Sequence, residues 1–242
     1  MTEDTCYAGW NGNSEEWIRL VNEKKDPHRD GLLDPWMLDV IGDVSGLKVI
    51  DLGCGEGRFC RMLTERGADV TGIDFVPRFI EYAEAHRVGS ESYLLADMTD
   101  LSQFEDGSFD LAVSYLTLVD VPDFRPVIRE AHRVLRPGGR FVIANLAPMV
   151  TAGNCWVKDG QGNKLHFYLD NYLDEGGARM MWGTLVNYHH TLSSYINCFL
   201  EAGFRLDGIR EPIPSPEGLA QFPDLNDNLR VPLFVIYLLS RS

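Results

Sequence analysis

Three glycines and one aspartate in the stretch Val49–Phe59 have the types and spacing of a cofactor site. Gly53, Gly55 and Gly57 alternate with other residues directly after a short apolar segment that contains Asp51. Because glycine has no Cβ, this backbone can approach a ligand where another residue would collide with it. A glycine-rich turn between a strand and a helix is typical of nucleotide-type cofactor sites in open α/β sheets.

Asp51 and Arg58 favour one class of cofactor for this turn. In the dinucleotide pattern Gly-x-Gly-x-x-Gly, which places a pyrophosphate on a helix N-terminus, the third glycine would fall at Arg58. The Asp51 carboxylate would also repel a pyrophosphate, whereas it suits a ligand that carries positive charge. We therefore predict a site for S-adenosylmethionine, which has cationic sulfonium and ammonium groups and no phosphate. A nicotinamide oxidoreductase is disfavoured, and a plain tight turn is the alternative that the turn alone leaves open.

Alternating strands and helices must position this turn. Apolar runs and helical spacing between residues 48 and 146 predict a parallel, doubly wound α/β sheet. The expected strands are 48–52, 69–74, 91–96, 109–115 and 140–146. The expected helices are 58–66, 77–87 and 124–135. Ligands of such sheets bind outside the carboxyl ends of the strands, which is where the turn would lie.

The rest of the chain divides around this core, which spans residues 47–146. Residues 1–46 are expected to form an N-terminal helical cap. Residues 147–190 are rich in Gly, Asn and aromatic residues and have little periodicity, so we interpret them as a substrate-lid insert. Residues 191–242 are expected to complete the core sheet. The elements expected there are a helix capped by Thr191, strands at 204–211 and 232–240, and a loop at 212–230.

The glycine-rich turn, the aspartate after the second strand and the passage Glu201–Phe204 resemble the class I S-adenosylmethionine-dependent methyltransferases. The resemblance is specific over residues 47–146 and looser over 191–242, and it is to the small-molecule branch similar to ubiquinone/menaquinone-biosynthesis methyltransferases. It implies a Rossmann-like, seven-stranded sheet whose last strand is antiparallel, with S-adenosyl-L-methionine as cofactor. Residues 1–46 and 147–190 match no motif of this family.

The resemblance also implies which residues contact the cofactor. Asp74, 21 positions after Gly53, lies where an acidic residue accepts hydrogen bonds from ribose hydroxyls. Capping of the helix that begins at Pro77 is the alternative role for Asp74. Phe75 is expected beside the adenine and Asp97 at its amino group, with an ordinary loop position as the alternative for Asp97. The full expected set is Asp51, Gly53, Cys54, Gly55, Asp74, Phe75, Asp97, Met98, Ser114 and Tyr115.

General-base chemistry is predicted at His189 and His190. They follow the insert directly, and an ordinary histidine pKa of about 6.5 suits a base that acts on a hydroxyl nucleophile. Capping a helix or packing under the lid is the alternative role for each histidine. Many relatives carry a histidine in a Leu-x-His-Val-like passage after the fourth strand, where this chain has Asp120. We expect Asp120 to cap the helix that follows.

Aromatic residues in the cap and insert predict a compact, partly aromatic or apolar small-molecule acceptor, because closed pockets are mostly apolar. The same residues would equally suit a core private to the insert. They are Trp10, Trp17, Trp156, Phe167, Tyr168, Tyr172, Trp182 and Tyr188. We predict a methyltransferase that acts on such a molecule at oxygen. The alternative is a S-adenosylmethionine-binding regulatory module or partner subunit without transferase activity.

The composition of the chain disfavours some classes of partner and predicts its cellular compartment. The net charge of −14 disfavours nucleic acid and anionic membranes, because both attract Lys and Arg. The five cysteines form no C-x-x-C and the six histidines no metal-binding pattern, so we expect free thiols in a reducing cytoplasm and no metal site. No apolar run approaches the length of a bilayer span, and a homodimer is left open.

Overall fold

The computed structural model describes residues 3–23, 26–153, 155–182 and 184–242. Its main element is a seven-stranded sheet, and two two-stranded hairpins accompany it. The strands are β1 (Lys48–Leu52), β2 (Asp69–Asp74), β3 (Ser92–Leu95), β4 (Phe109–Tyr115), β5 (Leu135–Leu146), β6 (Cys155–Lys158), β7 (Lys164–Tyr168), β8 (Ala178–Trp182), β9 (Leu185–Tyr188), β10 (Phe204–Arg210) and β11 (Phe234–Arg241).

The large sheet has the strand order β10-β11-β5-β4-β1-β2-β3. Strands β5, β4, β1, β2 and β3 pair in parallel, whereas β11 runs antiparallel to both β5 and β10. The predicted doubly wound sheet with an antiparallel last strand is therefore confirmed. Because β1 pairs with β2 on one side and β4 on the other, the strand order reverses there, and a crevice opens outside its carboxyl end.

Helices cover both faces of the sheet. They are α1 (Glu3–Glu23), α2 (Asp34–Ile41), α3 (Arg58–Thr64), α4 (Pro77–Ala85), α5 (Arg125–Val134), α6 (Pro148–Thr151), α7 (Leu192–Glu201) and α8 (Pro216–Gln221). A π-helical turn (Arg29–Leu33) precedes α2, and 3-10 turns lie at Leu118–Asp120 and Pro223–Leu229. Ile50 of β1 shares a buried cluster with Ile128 of α5, while its neighbour Val49 shares another with Leu63 of α3. This alternation fixes β1 between two layers of helices.

The region 147–190 contains regular structure that the sequence analysis did not predict. Strands β6 and β7 form one hairpin, and β8 and β9 form another. Strand β9 is buried at every position, so its sequence shows no alternation of polar and apolar residues. The predicted loop at 212–230 also contains a helix, α8, which begins with Ser215 as N-cap and Pro216 at its first position.

Helix α1 joins the sheet domain to the second hairpin. The Trp10 ring lies 6.0 Å from the ring of Phe79 in α4, and Ile18 is buried in the same cluster. On its other side, Asn13 Nδ2 donates to Thr184 Oγ1 at 2.8 Å, just before β9. The helix therefore spans the crevice outside β1 and β2. Among the described residues, no helix combines the length and apolar character needed to cross a membrane.

Candidate functional site

A cavity of about 270 Å³ lies between the carboxyl ends of the strands and α1. One side, the sheet wall, consists of residues at the carboxyl ends of β1, β2 and β4 and of residues that follow β1, β2, β3 and β4. Its lining residues are Asp51, Gly53, Cys54, Gly55, Glu56, Arg58, Phe59, Ile73, Asp74, Phe75, Ala96, Asp97, Met98, Thr99, Tyr115, Leu116 and Thr117. The other side, the cap wall, consists of Cys6, Tyr7, Trp10, Trp17, Val21 and Arg29. Phe79, whose ring contacts that of Trp10, and the segment 120–122, where Cys6 donates to the Asp120 carbonyl, lie at the junctions of the two walls.

The glycine-rich turn holds a backbone conformation that opens on this cavity. Gly53, Gly55 and Gly57 all have positive φ angles, of 78°, 56° and 85°. The amides of Gly53 and Cys54 both donate to the carbonyl of Ile73 at 2.9 Å, which fastens the turn to β2. A Cβ added at Gly55 would meet no protein atom within 4 Å, so the space beside this residue is free for a ligand.

Asp51 lies beneath the turn and is almost completely buried. Its Oδ2 accepts a hydrogen bond from Cys60 Sγ at 3.2 Å, whereas its buried Oδ1 has no partner among the described residues. Burial raises the pKa of this carboxyl to about 7. An orphaned acceptor of this kind in a cavity wall fits a cationic donor, which would both pair with it and favour its ionised form.

Asp74 accepts backbone amides with both of its carboxylate oxygens, and its contact to the ribose stays a prediction. Its Oδ1 accepts from the amide of Val76, the N-cap residue of α4, at 2.9 Å. Its Oδ2 accepts from the amide of Gly55 at 2.9 Å, which ties the glycine-rich turn to the end of β2. The side chain nevertheless lines the cavity, and burial raises its pKa to about 6.

The structure brings all the expected cofactor contacts except one to the cavity. Phe75, Asp97, Met98 and Tyr115 line it beside the turn and Asp74. Asp97 is exposed, and its Oδ1 accepts from both the amide and the hydroxyl of Thr99 at 2.8 Å. Ser114 is fully buried in β4, and its side chain does not reach the lining.

Arg58, at the position that excluded a dinucleotide pattern, has a partner in the N-terminal region. Its guanidinium donates to both carboxylate oxygens of Asp34 in α2, at 2.6 and 2.9 Å. The Tyr115 hydroxyl donates to the same Asp34 at 2.7 Å. This bidentate pair links α2, the turn and the end of β4, and it fixes the Tyr115 ring in the cavity wall.

The structure places His189 and His190 outside the cavity lining. Nε2 of His189 donates to the carbonyl of Tyr172 at 2.8 Å, and its Nδ1 pairs with the Thr151 hydroxyl at 2.7 Å. The ring of His190 contacts the ring of Phe124, and both of its nitrogens are buried without a partner in the described residues. Burial lowers its pKa. The general-base role of these histidines stays a prediction, one that the cavity lining does not support.

Asp120 is a cavity residue that the sequence analysis assigned to helix capping instead. Helix α5 begins at Arg125, and the carboxylate that bonds the Arg125 amide is that of Asp123, at 3.1 Å. Asp120 Oδ1 accepts from Asn187 Nδ2 at 2.7 Å, and burial raises its pKa to about 8. Its position after β4 was visible in the sequence, but its partner comes from β9, in the region without a recognisable pattern.

Comparisons with known proteins match the same core. Residues 50–143 match the family model described as a methyltransferase domain. A S-adenosylmethionine-dependent methyltransferase from Mesorhizobium loti has a similar structure, with a TM-score of 0.77 and 31% identity over 86% of this chain and 96% of that one. A putative S-adenosylmethionine-dependent methyltransferase from Listeria monocytogenes has a TM-score of 0.78 and 28% identity over the same shares.

A curated relative matches over a shorter stretch. The ubiquinone biosynthesis O-methyltransferase of Xanthomonas oryzae pv. oryzae is 34% identical over 120 residues, which are 47% of this chain and 50% of that relative. The matched stretch of the chain therefore spans about half the length of this relative.

Proposed function

Because this chain is a class I S-adenosylmethionine-dependent methyltransferase, we propose that it methylates a small, partly aromatic or apolar molecule at an oxygen atom. The observation that carries the proposal is the contrast between the two walls of one cavity. The sheet wall presents carboxylates and open backbone, and the cap wall presents aromatic rings. The first suits the cofactor and the second suits the acceptor.

S-adenosylmethionine is the cofactor, and the residues of the sheet wall fit it. The partnerless Oδ1 of Asp51 suits the ammonium group, and the open space beside Gly55 leaves room for the ligand. We assign the ribose to Asp74 and the adenine to Phe75 and Asp97. When bound, the cofactor supplies a methyl group on a positively charged sulfur. The other residues assigned to the cofactor are Gly53, Cys54, Met98 and Tyr115.

The cap wall supports a small apolar or aromatic acceptor. Tyr7, Trp10 and Trp17 of α1 line the cavity, and the Tyr7 ring lies 5.7 Å from the ring of Phe75. The cavity volume of about 270 Å³ is close to the lower end of ligand pockets, which is roughly 300 Å³. The cofactor shares this cavity, so little space remains for the acceptor, and bulky or highly charged molecules are disfavoured.

Methylation at oxygen would also give a role to Asp120, a group in the cavity that can accept a proton. A hydroxyl must release its proton during methyl transfer, and Asp120 is a buried carboxyl in the lining. A cytoplasmic location belongs to the same proposal, since Cys6, Cys54, Cys60 and Cys198 carry free thiols.

The proposal is tested with the full chain, the cofactor and a panel of phenols, quinols, aliphatic alcohols and amines. Formation of S-adenosylhomocysteine together with a methylated oxygen, identified by mass spectrometry, is the expected result. Methylation of amines alone would contradict the assignment to oxygen. A preference for large polyanionic acceptors would contradict the assignment to a small apolar molecule.

A further inference from the structure

We propose that Asp120 is the general base that takes the proton from the acceptor hydroxyl. This inference rests on the proposed function at oxygen and names the residue that would accept the proton. The carboxyl lies at the end of the 3-10 turn after β4, at the junction of the sheet wall and the cap wall. It thus borders both the proposed cofactor side and the proposed acceptor side of one cavity.

Contacts from three parts of the chain hold Asp120 in place. Asn187 of β9 donates to its Oδ1 at 2.7 Å, and Cys6 Sγ of α1 donates to its carbonyl oxygen at 3.0 Å. Its own amide donates to the carbonyl of Thr117 at 2.9 Å, within the 3-10 turn. A general base needs this kind of fixed position, because proton transfer requires hydrogen-bond reach to the reacting group.

The charges around Asp120 suit proton exchange near neutral pH. Burial raises its pKa to about 8, although a hydrogen bond from Asn187 and the charge of Arg29 lower it. The Asp74 carboxylate contributes to this rise in the pKa, and a hydrogen bond from Trp10 opposes it. The other titratable groups that interact with it are Cys6, Tyr188 and Tyr195. A base whose pKa lies near the working pH is both available and strong enough to act.

The other carboxylates of the cavity have different surroundings. Both oxygens of Asp74 accept backbone amides, and Glu56 pairs with Arg61 at 3.3 Å. Asp97 is exposed and bonded to Thr99, and Asp51 accepts from Cys60 beneath the glycine-rich turn, where we assign the ammonium group of the cofactor. Asp120 is the carboxyl of the described lining that lies where the two walls meet.

The step balances with the groups named. The acceptor oxygen forms a bond to the methyl carbon as the bond between that carbon and the sulfonium sulfur breaks. The bonding electrons return to sulfur, which becomes an uncharged thioether. The proton of the acceptor hydroxyl passes to the Asp120 carboxylate and leaves to water after product release.

Replacement of Asp120 by Asn is the central test, since it keeps the shape and removes the proton acceptor. With phenol as the probe, we expect Asp120→Asn to lower turnover by about 10²–10⁴-fold. Cofactor affinity, measured by calorimetry, should change by no more than about twofold. Asp123→Asn is the matched control, because Asp123 is an exposed residue of the same segment and does not line the cavity. It should keep wild-type turnover.

A second acceptor separates a chemical role from a structural one. 4-Nitrophenol is largely ionised at pH 8 and needs no base, so Asp120→Asn should methylate it almost as fast as the wild type does. Equal losses for phenol and 4-nitrophenol would overturn the assignment and make Asp120 a structural residue. Loss of turnover in His190→Phe but not in Asp120→Asn would also overturn it, in favour of the histidine.

The titration of Asp120 can be measured without any acceptor. Because its pKa is higher in the folded chain than in the unfolded one, ionisation opposes folding as the pH rises from about 4 toward about 8. The free energy of unfolding of Asp120→Asn, relative to that of the wild type, should therefore increase as the pH rises over this range. A constant difference would overturn the assignment of a base matched to neutral pH.

A failure of the proposed general base can be distinguished from a failure of the proposed function. If the wild type methylates phenols and Asp120→Asn does so equally well, the general base is wrong and the proposed function stands. If the wild type methylates no hydroxyl in the panel, the proposed function at oxygen fails, and the general base fails with it.

Discussion

The sheet wall and the cap wall of the cavity are built in opposite ways. In the sheet wall, the amide of Gly55 bonds Asp74 across 19 positions of sequence, and Asp74 bonds Val76 two positions later. In the cap wall, Cys6 bonds the backbone of Asp120 across 114 positions, and α1 bonds Thr184 across 171. The turn on the cofactor side is thus held by hydrogen bonds between segments that are close in sequence. The acceptor side exists only when distant segments have packed together.

This difference suits the division of labour that we propose. A cofactor common to many enzymes can be bound by a unit that folds and functions in the same way in each of them. Acceptors vary, and a wall formed by α1 and by Arg29 of the π-helical turn can change without disturbing the glycine-rich turn. The comparison predicts that changes in the sheet wall affect the cofactor first, and that changes in the cap wall affect closure and the acceptor.

Gly53→Ala should have the largest effect on the sheet wall. A Cβ at this residue would lie 2.1 Å from Thr117 Cγ2, and the backbone has a φ of 78°. Strain in the left-handed region and overpacking together cost about 2–4 kcal/mol. Urea unfolding should show this loss, and cofactor affinity should fall with it.

Gly46→Ala is the matched control for that change. Gly46 has a similar φ of 73°, but a Cβ there would meet nothing within 4 Å. It should cost only the backbone strain, about 1–2 kcal/mol. If both variants lose the same stability, Thr117 yields without cost, and the close packing of the turn is not what holds the sheet wall.

Asp74→Ala should weaken cofactor binding by about tenfold to a hundredfold, since hydrogen bonds to a charged group contribute about 1.5–3 kcal/mol. Calorimetry with S-adenosylhomocysteine measures the change. Asp69→Ala is the control, because Asp69 is an exposed residue at the opposite end of the same strand. Unchanged affinity in Asp74→Ala would show that its carboxylate serves the turn and α4 alone.

Asp51 should make cofactor binding depend on pH. Burial raises its pKa to about 7, and a cationic ligand favours the ionised form, so binding should release a proton. Because roughly one carboxyl in ten is ionised at about one pH unit below the pKa, affinity should rise about tenfold between pH 6 and pH 8. Asp51→Asn should remove this dependence. Calorimetry in buffers of different ionisation enthalpy counts the protons, and no release in the wild type would contradict the pairing.

The same contrast explains what could be predicted from the sequence. Strand β1, the glycine-rich turn and Asp74 follow from local patterns, so the sheet and the positions of the sheet-wall residues were predictable. Asp120 was assigned to capping because its partner, Asn187, belongs to a strand that is buried at every position and shows no alternation. Such contacts depend on tertiary packing, and the local hydrophobic periodicity of a single sequence does not reveal them.

The smallest expected effect is a change in amide exchange when the cap wall closes on a ligand. This effect also distinguishes the two walls most clearly. Helix α1 contributes five side chains to the cavity that we assign to ligands, namely Cys6, Tyr7, Trp10, Trp17 and Val21. A bound ligand adds contacts to these side chains, so local opening of α1 should become less frequent. Amide exchange in α1 should slow by about threefold to tenfold on binding of S-adenosylhomocysteine. Helix α7, whose residues do not line the cavity, provides the internal control, and its amide exchange should not change.

If α1 exchanges equally fast with and without the ligand, the cap wall is a fixed part of the fold and not a lid. Acceptor entry would then require a route other than movement of α1.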